Sequence, residues 1–281
     1  MVDVKEGGAV YFKGTFAGRE VDNVRSMFNN AGTIEFESDA VFEQNGNVFR
    51  SNEGTIKFRG DTSFSDNFYL AIDNINSGYI RFSKTALFQR NARSFDGGNG
   101  CAVENQDTTG TVIFRGDATF NEHSCEGAGA IDNAGTMTFY GKAKFKDNTS
   151  SRSDGGAVRN RIGTMTFKAA AQFVGNTADL GGGLAVEGGA VQFNKAVLFD
   201  TNEARQTGGA FSLTSGSKFE NGETITGAGS LTFKRPSVVR KSGNTALNEE
   251  PDEAIPACNV GYVEEGSSLE GFPDEDVCEE A

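Results

Sequence analysis

Apolar and polar positions alternate in short bursts along most of this chain, and the bursts return at a nearly constant interval. Thr33-Ile34-Glu35-Phe36, Thr55-Ile56-Lys57-Phe58, Tyr79-Ile80-Arg81-Phe82, Thr111-Val112-Ile113-Phe114, Thr136-Met137-Thr138-Phe139 and Thr164-Met165-Thr166-Phe167 share one pattern. A period of two with apolar second and fourth positions predicts a strand with one buried face. Six residues after the closing Phe stands another, giving Phe36/Phe42, Phe58/Phe64, Phe82/Phe88, Phe114/Phe120, Phe139/Phe145, Phe167/Phe173 and Phe193/Phe199. Successive pairs begin 22 to 32 residues apart, about 26 on average, an interval typical of solenoid repeats. Three residues after the second Phe comes Asn45, Asn67, Asn91, Asn148, Asn176 or Asn202, with His123 replacing Asn once. A small-residue segment follows, clearest in Gly155-Gly156-Ala157-Val158. Each unit therefore holds about three short strands and no helical stretch.

Three strands per unit of this length predict an all-β fold, a right-handed parallel β-helix of eight or nine coils stacked at about 4.8 Å. Proline usage fits. The four prolines are Pro236, Pro251, Pro256 and Pro273, so none interrupts the repeats. An interior strand must donate and accept hydrogen bonds on both sides, and proline lacks the donor. A second column, Asn74, Asn105, Asn133 and Asn160, follows the Gly-Ala-Val strand and reads as a structural ladder, because Asn suits tight corners and bonds to its own kind above and below. Both asparagine columns fade in the last units, at Gly188 and beyond Asn202.

The alternation of Gly-Gly-Ala-Val with Phe-x-x-Asn, at Gly7 to Val10, Gly155 to Val158, Gly188 to Val191 and Gly208 to Phe211, with Phe42/Asn45, Phe64/Asn67, Phe88/Asn91, Phe145/Asn148, Phe173/Asn176 and Phe199/Asn202, resembles the repeats of chlamydial polymorphic membrane proteins and related algal surface proteins. The resemblance implies an extracellular or cell-surface solenoid working in adhesion, binding or scaffolding, with a cell-surface protein or polysaccharide as partner. It implies no catalytic residues. No barrel segment or signal peptide accompanies the repeats, which leads to the expectation that the chain belongs to a larger polypeptide.

Charge changes the picture only at one end. Residues 247–281 hold 12 of the 39 acidic residues and none of the 26 basic ones, leaving the remainder near neutral. We expect the solenoid to occupy 1–246 and an irregular acidic tail to occupy 247–281. A net charge of −13 argues against nucleic acid, which needs a basic footprint. No apolar run approaches the 20 or so residues of a transmembrane helix. Cys101 and Cys125 lie one repeat apart and are read either as a bridge between coils or as buried thiols, while Cys258 and Cys278 flank an acidic segment that a disulfide would close. No Cys-x-x-Cys pair is present and there is one His, which disfavours a zinc site. The sequon Asn148-Thr149-Ser150 is a candidate glycosylation site.

The principal reading is a noncatalytic surface rod that needs no cofactor, with the longer inserts 93–100 and 152–156 as contact loops. The alternative is a polysaccharide lyase or glycoside hydrolase, since these activities need acidic groups gathered on one face, with calcium in the lyase case. Two columns qualify. Asp39, Asp61, Thr85 and Asp117 form one; Asp73, Glu104, Asp132 and Arg159, followed by Glu187, form the other. Ice binding through threonine ladders is weaker, because only Thr136/Thr138 and Thr164/Thr166 form pairs on successive coils.

Overall fold

The computed structural model describes residues 1–20, 26–91, 101–220, 223–234 and 239–246, together with the strands Gly261–Val263, Ser268–Glu270 and Val277–Glu279. They form a parallel β-solenoid of eight or nine coils, with no helix among the described residues. Each complete coil contributes one strand to each of three sheets. Sheet A has eleven strands, sheet B ten and sheet C nine, and up to the C-terminal end neighbours in each sheet lie about one repeat apart in sequence.

The register follows the phenylalanines. In sheet B, Phe36, Phe58, Phe82, Phe114, Phe139, Phe167, Phe193 and Phe233 are direct partners from coil to coil. In sheet C the same holds for Phe42, Phe64, Phe88, Phe120, Phe145, Phe173 and Phe199. Within a column the rings stack nearly parallel, with centroids 4.8 Å apart for Phe82/Phe114 and Phe88/Phe120. Between columns they meet edge to face, as Phe114 and Phe120 do at 5.8 Å. Both arrangements suit the ring quadrupole, and each pair adds about 0.5–1.5 kcal/mol to the burial gain. Sheet A closes the core with Phe28, Phe49, Ile72, Val103, Ile131, Val158, Leu184 and Phe211 in register. All of these side chains are buried.

Two features depart from three strands per unit. From the fifth coil onward a fourth sheet, D, forms from Ser124–Cys125, Thr149–Ser150, Thr177–Leu180, Glu203–Thr207 and Thr245–Ala246. Its first strands have two residues, too few for alternation to show. In the last coil an antiparallel hairpin, Ser215–Glu220 with Glu223–Ala228, is inserted between sheets A and B. This insertion delays Phe233 and hides its place in the repeat.

The corners are as regular as the strands. A residue with positive φ precedes every member of the Phe-x-x-Asn column: Gln44, Asp66, Arg90, Glu122, Asp147, Gly175, Thr201 and Gly243. The Asn that follows bonds in both directions. Asn67 Nδ2 donates to the Phe42 carbonyl of the preceding coil and to Asn91 Oδ1 of the next, 3.1 and 2.7 Å away. This column does not fade at Asn202, because Asn202 Nδ2 donates to Asn244 Oδ1 at 2.9 Å. Lys241 partners Phe199 in sheet C, so the Phe that marks the motif elsewhere is missing there.

Of the expected tail, Gly261–Val263 and Val277–Glu279 extend sheet A and Ser268–Glu270 extends sheet B. The rest of 247–281, including Cys258, lies outside the described residues, as does the whole insert 93–100.

Candidate functional site

Sheet A strands are three or four residues long, with the first and third side chains turned into the core or the corner. The middle position faces outward. Register brings Asp73, Glu104, Asp132 and Arg159 into one column on successive coils, followed by Ala185. The alternation of inward and outward positions in a pleated strand makes this unavoidable once the asparagines are stacked.

The column is a network of pairs. Asp73 accepts from Gln106 Nε2 at 2.7 Å and lies 3.7 Å from Arg50 Nε. Asp132 has no exposed surface: Arg159 Nε reaches its Oδ2 at 3.0 Å and Arg161 Nε its Oδ1 at 2.6 Å. Glu187 adds a second carboxylate 3.6 Å from Arg159. Burial works against the Arg159 charge, but Asp132 and Glu187 together outweigh it and raise its pKa. Burial pushes the Glu187 carboxyl up.

The loop 151–155 lies against this network. Arg159 Nη1 donates to Ser153 Oγ at 2.7 Å, Ser150 Oγ donates to the Ser153 carbonyl at 2.7 Å, and the N–H of Asp179 donates to the same carbonyl at 3.1 Å. Arg205 pairs with Asp179 at 2.5 Å and donates to the Ser150 carbonyl at 2.9 Å. Asp154, within the loop, has its carboxyl pushed up to about 7, first by burial and then by the nearby Glu187. Nothing in the strand pattern marks Asp154, which lies within the insert 152–156.

The second acidic column is structural in a different way. Asp39 Oδ1 accepts the N–H of Asp61 at 2.9 Å, Asp61 Oδ1 that of Thr85 at 3.0 Å, and Asp117 Oδ1 that of Lys142 at 2.8 Å. Each aspartate thus satisfies a corner amide of the next coil. An open groove of about 400 Å3 runs past this corner over Val41, Ser63 and Leu87, and a smaller one of about 190 Å3 passes Thr119, Lys142 and Lys144.

The asparagine ladder Asn74, Asn105, Asn133, Asn160 is continuous, each Nδ2 donating to the next Oδ1 at 2.7–2.8 Å. Close packing accompanies it: a Cβ on Gly110 would lie 2.4 Å from Asn105 Oδ1. Asn148 is fully buried, with its Nδ2 bonded to Phe120 and Asn176, so the sequon is closed to modification in the folded chain. Cys101 and Cys125 are joined, their Cα atoms 5.9 Å apart. The pair ties the first strand of sheet D to the coil before it. Cys258, the expected partner of Cys278, lies outside the described residues. Thr136/Thr138 and Thr164/Thr166 do stack, but Ile113 precedes and Gln192 follows Thr138 and Thr166 in their column.

Among the described residues no group of three or more His, Cys, Asp or Glu is placed to hold a metal ion, and no helix is long and apolar enough to cross a membrane. No protein-family model, curated protein or solved structure matches the chain.

Proposed function

We propose that this chain is a noncatalytic extracellular or cell-surface rod that acts in adhesion, binding or scaffolding. The observation that carries the reading is the employment of both acidic columns in holding coils together. Glycoside hydrolysis needs one carboxyl group to exchange protons and a second to attack or to activate water. Asp132 has both oxygens bonded to arginines inside the protein, and Asp39, Asp61 and Asp117 each cap a backbone amide. Such groups build a stiff scaffold.

The likeness of the repeats to chlamydial polymorphic membrane proteins and algal surface proteins supports the same reading and its extracellular setting. On this reading the loop 152–156 and the corner groove contact a surface polysaccharide or protein. The test is retention of the immobilised protein on arrays of neutral and acidic glycans and of surface proteins, with a polysaccharide library incubated in parallel, with calcium, and analysed by mass spectrometry. Retention that falls at least tenfold when 152–156 is replaced by a minimal turn is the expected result. Shortened or unsaturated chains in the library would overturn it in favour of the lyase or hydrolase alternative.

A further inference from the structure

We infer that the corner between sheets B and C, over five coils from Lys84 to Lys195, binds an acidic polysaccharide laid along the solenoid axis. This ligand class rests on the binding reading above and specifies it. Three residues make each of these corners: Ser83-Lys84-Thr85, Arg115-Gly116-Asp117, Tyr140-Gly141-Lys142, Lys168-Ala169-Ala170 and Asn194-Lys195-Ala196. Each corner holds one cation, and Asp117 is their single acid. The five cations are exposed. None forms an ion pair among the described residues, whereas Arg19, Arg90 and Lys146 do. Asp117 is engaged by the chain itself, its Oδ1 accepting the Lys142 N–H at 2.8 Å. The earlier corners differ: Glu37 and Asp39 share one, and Arg59 of the next is bonded to Glu35. On a body whose charges nearly cancel, a row of unpaired cations makes a local positive field.

Register aligns the row. Backbone bonds continue around the corner, the N–H groups of Arg115, Tyr140, Lys168 and Asn194 donating to the carbonyls of Phe82, Phe114, Phe139 and Phe167 at 2.7–2.9 Å. The cations therefore rise one coil at a time, about 4.8 Å, and together span about 19 Å. Their place within the corner shifts among first, second and third, which hides the row in the sequence. Duplex DNA carries one charge per about 1.7 Å of its axis, far denser than this row. A polyuronate carries one carboxylate per sugar, and one sugar of an extended chain is about as long as one coil is thick.

Two further features suit a charged sugar. The Arg115 guanidinium carbon lies 4.1 Å from the ring centroid of Tyr140, which is itself 42% exposed. Stacking of this kind steadies the guanidinium, whose fork of donors matches a carboxylate or a sulfate. Beside the row, the groove of about 190 Å3 is lined by Thr119, Lys142, Lys144 and Gln172 around Ala143, a polar hollow with two ammonium groups.

The test is the affinity of the full chain for polygalacturonate, dextran sulfate, neutral dextran and a DNA duplex, measured by biolayer interferometry. Polygalacturonate or dextran sulfate should bind at least tenfold more tightly than dextran, and that binding should fall about tenfold between 50 and 200 mM NaCl. Whichever binds better identifies the anionic group as carboxylate or sulfate. The combined variant Lys142→Gln, Lys168→Gln and Lys195→Gln should weaken binding at least tenfold. Lys5→Gln, Arg19→Gln and Lys57→Gln together remove as much charge elsewhere and should leave it within twofold. Equal loss in the two variants, preference for the DNA duplex, or equal binding of dextran would each overturn the assignment. Retention on a neutral glycan or a surface protein that needs the loop 152–156 but not the three lysines would overturn it while leaving the binding reading in place. Shortened polygalacturonate, with the lysine dependence intact, would do the reverse.

Discussion

His123 shows how a single residue can follow a repeat and still alter its chemistry. It occupies an asparagine position, and its Nδ1 accepts the N–H of Asn91 at 3.1 Å as an asparagine Oδ1 would. Its backbone N–H donates to Asn148 Oδ1, while Nε2 is buried without a partner. Burial lowers its pKa from 6.5 to about 4, so the folded protein holds it neutral. The unfolded chain binds the proton first on acidification. Stability contributed by this site is complete above about pH 6.5 and is lost as pH falls to about 4, a change of about 3 kcal/mol. Denaturant titrations across that range should show the loss in the wild type, and His123→Asn should remove that share of it. A second single-residue effect lies at Ser51, which precedes Asn74 in the other ladder and turns its hydroxyl to the Gly54 carbonyl. Asn74 Oδ1 is consequently buried without a donor. Ser51→Asn should supply the missing Nδ2 and raise stability by about 1 kcal/mol, read as a higher denaturant midpoint. An unchanged or lower midpoint would mean that the corner has no room for the longer side chain.

Among the elements, sheet A carries the greatest electrostatic load. Asp132 is buried between Arg159 and Arg161, and such a pair is strongly destabilising to break from one side because the surviving charges lose their partner. Asp132→Asn preserves shape and should cost about 3 kcal/mol in chemical denaturation, with the other coils unaffected in their far-ultraviolet signal. A cost below about 1 kcal/mol would mean that Glu187 takes over both arginines. Sheets B and C depend instead on ring stacking, which the alternating pattern made visible. Their outward positions vary freely between charged and neutral residues because register is held by the rings and the ladders, not by the exposed face.

At the scale of the molecule, the core is one continuous column to which every coil adds a layer; each coil packs on its two neighbours, and cross-links act locally. The disulfide Cys101–Cys125 closes a separation of 24 residues where sheet D begins. Breaking it by Cys101→Ser with Cys125→Ser should lower stability by about 3 kcal/mol through the greater freedom of the unfolded chain, leaving the β content intact. Equal denaturant midpoints for the two proteins would show that the bridge contributes nothing.

The one-dimensional pattern determined the class of fold, the repeat, the three principal strands and both asparagine columns. These depend on local alternation and on identical side chains recurring at one period, and stacking follows from them directly. It also named Asp73, Glu104, Asp132 and Arg159 as one column. Their employment was a tertiary matter, since Arg161 and Glu187 reach the column from outside its register and burial of Asp132 depends on them. Sheet D escaped notice because two-residue strands cannot show a period, and the ladder's extension to Asn244 because Lys241 replaces its marker Phe. Asp154 was beyond reach of any pattern: its chemistry comes from Glu187, Asp179 and Arg159, which the chain brings around it only after the coils have stacked.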